Sequence, residues 1–82
     1  MMKPTIHMNG TSRSELERQL CEACVAVLKA KHALVDAAPN GRDYYLQGDD
    51  AFTRANNEHV ERLRKLDEVG RELTDLLEWV AG

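Results

Sequence analysis

From Leu16 to Leu34, apolar residues recur at alternating steps of four and three, through Leu20, Ala23, Val27 and Ala30. Cys24, Leu28 and Val35 widen this stripe into a broad face, the pattern of an amphipathic helix. Upstream, Ser12 precedes Glu15 by three residues and Ser14 precedes Glu17, so two capping-box registers overlap at the start. Downstream, Ala37-Ala38-Pro39-Asn40-Gly41 ends the pattern, because Pro39 disfavours helical geometry in the residue before it. The result is a helix over about residues 13–38, about 38 Å long at 1.5 Å per residue.

A second stripe runs through Phe52, Asn56, His59, Leu63, Leu66, Gly70, Leu73, Leu77 and Val80, again at steps of four and three. Val60, Val69 and Leu76 thicken it. This predicts a helix over about residues 50–80, starting at Asp49 or Asp50, whose carboxylates can accept from free backbone amides. Glu58/Arg62, Glu61/Lys65, Asp67/Arg71 and Arg71/Asp75 sit four apart on the other side, the pairing of a solvated helix face.

Two such helices joined by a loop over 39–49 fold back most simply as an antiparallel hairpin. The expected class is therefore all-α, with a flexible N-terminal tail at 1–11 and the hairpin at 12–82. Its core falls on Leu16, Leu20, Val27, Leu28, Leu34, Leu63, Leu66, Leu73 and Leu77. A lone hairpin leaves the second side of each stripe wet, so a homodimer is expected, as a four-helix or an interwoven bundle. Asn56 and His59 interrupt the seam, and polar residues there can fix register and partner number. Gly70 costs about 1 kcal/mol against alanine, which leaves a close crossing, a bend or a tolerated glycine.

Composition narrows the function classes. At 82 residues the chain is one small domain, and its 30% charged residues are too many for a membrane span. A net charge of −3 with interspersed signs lacks the basic stripe of a nucleic-acid binder. The first ten residues lack the apolar run of a secretion signal, and two cysteines without one point to a reducing cytoplasm. By the same reasoning Asn9-Gly10-Thr11 matches the glycosylation pattern by accident.

Cys21 and Cys24 form a C-x-x-C pair, but well inside a helix, whereas redox pairs work at a helix N-terminus. A zinc site needs two more ligands, and His7, His32 and His59 make no second close pair. The cysteines are better taken as small, buried apolar residues. No nucleophilic constellation, calcium loop or phosphate-cradling glycine motif is present, so neither catalytic residues nor metal or cofactor are expected.

What remains is the loop. Three of the four aromatic residues, Tyr44, Tyr45 and Phe52, lie in or beside it, near Arg42 and Arg54. Tyrosine and arginine are enriched where proteins bind proteins, since they combine large contact area with a polar handle. One tyrosine is expected to pack over the open end and the other to face a partner. Trp79, at the far end, either covers the end of a dimer core or forms a second contact surface.

With this loop between its helices, AAPNGRDYYLQGDDAF, the chain resembles small proteins of temperate bacteriophages and prophages. It is similar in particular to the phage quorum-sensing anti-activators of pseudomonads. The likeness covers about residues 12–80 and is most specific from Asn40 to Asp50, where Asn40, Gly41, Arg42, Asp43, Tyr44 and Tyr45 stand together. The tail, Met1 to Gly10, lies outside it. The resemblance implies a homodimeric hairpin in the bacterial host cytoplasm that binds the DNA-binding domain of a LuxR-type transcription activator and blocks its DNA binding. It further implies an association with the type IV pilus assembly ATPase, whose inhibition suppresses twitching and superinfection. Asp43, Asp49 and Asp50 would meet the basic DNA-reading surface, and Tyr44 or Tyr45 would anchor the contact. A structural or assembly module of a phage explains the heptads equally well, but gives no reason for the tyrosines. An antagonist of another host defence also fits.

Overall fold

The computed structural model describes all 82 residues. Two helices, α1 (Arg13–Asp36) and α2 (Ala51–Ala81), fold back on each other, joined by single 3-10 turns at Gly41–Asp43 and Tyr45–Gln47. The chain is all-helical. Its extents of 61 × 20 × 18 Å match a hairpin about two helix diameters wide. No helix is long and apolar enough to cross a membrane.

Ser12 caps α1, its hydroxyl accepting from the Glu15 amide at 3.2 Å. Only this half of the capping box forms. The Glu15 carboxylate instead accepts from the Arg18 guanidinium and from Gln19 Nε2. Those bonds, Arg18 first, hold the Glu15 carboxyl below its ordinary range and push the arginine up. On α2, Glu61 is held low by Arg64 in the same way.

The Ala37 amide closes α1 by reaching both Ala33 and Leu34 carbonyls at 3.1 Å. The helix thus stops at Asp36, two residues short of the sequence expectation, as the turn into Pro39 begins early. Gly48, at φ +116°, turns the chain into α2 in a region side-chain-bearing residues rarely adopt. Asp50 occupies the N-cap position, but its side chain makes no capping bond.

Antiparallel pairing is fixed by contacts along the hairpin. The Lys31 ammonium meets Asp67 Oδ1 at 2.5 Å, Gly70 backs onto Val27, and Arg13 donates to the Val80 carbonyl. The last of these satisfies a carbonyl that the end of α2 would otherwise leave open. Asp67 therefore pairs across the hairpin with Lys31, not along α2 with Arg71, and Glu61 chooses Arg64 over Lys65. Glu58–Arg62 forms as the spacing predicts, at 3.7 Å.

Of the expected core, Leu16, Leu20, Val27, Leu34, Leu63, Leu66, Leu73 and Leu77 all lie at the helix–helix seam, each half-buried. Leu28 does not: it is 53% exposed, one residue and 100° round from Val27, and so leaves the core of the single chain. The seam of α2 also starts differently. Ala51 and Ala55 are turned inward, while Phe52 and Asn56 are exposed. Val80 and His59 are the only two buried residues.

The tail at 1–11 runs back over the end of α2. There the Trp79 indole N–H donates to the Pro4 carbonyl at 3.0 Å, and the Lys3 ammonium sits 5.0 Å above the ring centroid.

Candidate functional site

The loop is built turn upon turn by its own backbone. Asp43, Tyr44 and Gln47 amides donate to the carbonyls of Asn40, Gly41 and Tyr44 at 2.9, 3.1 and 2.9 Å. The Asn40 side chain adds a local clamp, accepting from the Arg42 amide at 3.0 Å and from Arg42 Nε at 3.4 Å. Asparagine suits this role, because its short carbonyl reaches the backbone two residues on.

The two tyrosines separate. Tyr44 is half-buried, its ring 6.5 Å from that of Phe52 and tilted by 49°, so the pair ties the loop to the first turn of α2. Tyr45 is 73% exposed, and beside it Leu46 is 84% exposed. Arg42, Asp43, Asp49 and Asp50 are exposed around them, and none makes an ion pair. The tip therefore presents an aromatic ring and an aliphatic side chain in a loop whose charged residues form no ion pairs.

Leu46 was missed by sequence reasoning. A signal did exist, for Leu46 is a large apolar residue outside both heptad stripes. Trp79 belongs elsewhere: it stands at the other end of α2, about 40 Å from Phe52 along the helix. The structure brings Arg42 through Phe52 together and leaves Trp79 apart.

Along one side of the hairpin runs an open groove of about 620 Å³. Val27, Leu28 and Gly70 form its apolar floor, with Lys31, Asp67 and Arg71 along its edges. Gly70 makes the floor deep, since nothing but Val27 approaches within 4 Å of where its Cβ would stand. Cys24 also lines this groove, while Cys21 is exposed and both thiols are free. Cys21 is therefore not the buried apolar residue expected of it, because it lies a quarter-turn beyond Leu20. No three His, Cys, Asp or Glu side chains converge in a cluster that could hold a metal ion. His59 is buried, and its Nε2 has no hydrogen-bond partner. Compared with known proteins, the chain matches no protein-family model, no curated protein and no solved structure.

Proposed function

We propose that this chain is a non-enzymatic inhibitory binding protein that covers a face its target needs. The observation that carries it is the division of labour in the loop: Tyr44 is spent on packing, while Tyr45 and Leu46 are held outward. Exposed apolar residues at the tip of a self-bonded loop bind with little ordering cost, since the loop does not have to fold on its target. In the finer form, drawn from the resemblance of the Asn40–Asp50 stretch, the chain is a phage anti-activator acting in the bacterial cytoplasm. Its target is the DNA-binding domain of a LuxR-type activator, with the pilus assembly ATPase as a second partner. Unpaired Asp43, Asp49 and Asp50 beside the anchor favour a basic, DNA-reading surface.

Two copies form the working unit, as a four-helix or interwoven bundle that takes up the exposed Val25, Leu28 and Val35. Those same residues favour the second reading, a structural or assembly module of a phage, in which the helix faces carry the function and the loop is only a turn.

The test is a pull-down from pseudomonad lysate with the parent, Tyr44→Ala and Tyr45→Ala as baits, followed by binding measurements on the captured protein. Tyr45→Ala should lose more than about 2 kcal/mol of affinity, the hot-spot threshold, with its helicity unchanged. Tyr44→Ala should weaken binding only as far as it loosens the loop. Equal affinity of Tyr45→Ala and the parent would sink the anchor, and capture of virion components by all three would favour the module.

A further inference from the structure

Trp79 is the chain's one tryptophan, and the N-terminal tail lies against it. Glu72, Asp75 and Trp79 succeed one another at steps of three and four, so they share one face of α2. All three are exposed. Neither Glu72 nor Asp75 makes an ion pair, nor does neighbouring Glu78. The face ends at the C-terminus of α2, where Arg13 already donates to the Val80 carbonyl, so its negative potential rests on the carboxylates. An indole beside unpaired carboxylates is a seat for a cation with an extended backbone.

The chain's own tail already shows what fits. Lys3 places its ammonium 5.0 Å above the Trp79 ring, within the range of a cation–π contact. The next residue, Pro4, supplies the carbonyl that accepts the indole N–H at 3.0 Å. Proline holds that segment extended before it docks, which lowers the cost of ordering it. Even so, Trp79 remains 55% exposed, which leaves room on the same face for a longer segment.

We propose that the Glu72–Asp75–Trp79 face is a docking site for an extended Lys-Pro segment of a partner protein, and that residues 3–4 occupy it as a tethered latch. A partner segment competes with a tail whose effective concentration is about millimolar for a short flexible tether. The site thus admits partners that bind better than the tail does. None of this depends on Tyr45, so failure of the loop contact leaves the latch standing, and the reverse holds as well.

The experiment follows Trp79 emission in the full chain, in Lys3→Glu and in Lys3→Arg. Glutamate at position 3 removes the cation over the Trp79 ring and releases the tail, so emission should shift to the red with helicity unchanged. Arginine keeps the cation and should leave the emission of the parent. Acetyl-MKPTIH-amide is then titrated into each. It should reverse the shift in Lys3→Glu, leave the emission of the parent where it is, and lose this effect when its lysine is alanine. Unchanged emission in Lys3→Glu would show that the tail does not hold Trp79. Released emission that the peptide does not reverse would show that the face accepts no segment in trans. Either result overturns the proposal.

Discussion

Among single residues, His59 and the tyrosines show opposite uses of a polar side chain. Tyr44 keeps its ring on Phe52, and such aromatic pairs contribute about 0.5–1.5 kcal/mol beyond their area. His59 lies in the seam at 5% exposure with Nε2 unpartnered, and a buried unmade hydrogen bond costs about 1–3 kcal/mol. His59→Leu is of similar volume and removes that cost. It should raise stability by about 1 kcal/mol, read as a higher urea midpoint at unchanged slope. A fall instead would mean that the imidazole meets a partner in the assembled protein, where a polar seam residue can set register. His59 was legible from the sequence as a seam residue. Its isolation was not, because which polar groups reach a side chain is decided by tertiary packing.

Between elements, the heptad pattern located both helices to within about two residues and told which side of each faces the other. It erred where two neighbouring positions compete for one seam. Phe52 and Ala51 differ by a single residue, and hydrophobicity favours Phe52. The structure turns Ala51 and Ala55 inward, and Phe52 is left to pair with Tyr44 from outside. Lys31 likewise displaces Ala30 from the seam, since its long apolar stem covers α2 while its ammonium reaches Asp67. Gly70 shows how an element carries both stability and shape. In the single hairpin, Gly70→Ala should stabilise α2 by about 1 kcal/mol, because the new methyl meets only Val27 Cγ1 at an ordinary 3.7 Å. Thermal melts of the dilute protein read this gain. A loss at high concentration but not at low would mark the groove floor as a contact between copies.

At the scale of the whole molecule, the hairpin buries little. Two of 82 residues are buried, and Val25, Leu28, Val35, Val60 and Val69 are each between 44% and 55% exposed. Chains this small add disulfides, a metal or self-association to a limited core. Here both thiols are free and no three metal-ligating side chains converge, and the proposed pairing of two copies would enlarge that core. Val25, Leu28 and Val35 follow one another at steps of three and seven, continuing a second stripe on α1 beside the first. This is the face a second copy would cover. If it does, unfolding is coupled to dissociation and stability rises with protein concentration. A hundredfold increase adds about 2.7 kcal/mol per dimer, which over the unfolding entropy of two chains raises Tm by about 5–10 °C. Melts at about 1 and 100 µM decide the matter. A Tm independent of concentration would make the hairpin a stable monomer and would leave the valine stripe, along with Tyr45 and Leu46, as surface offered to a different protein.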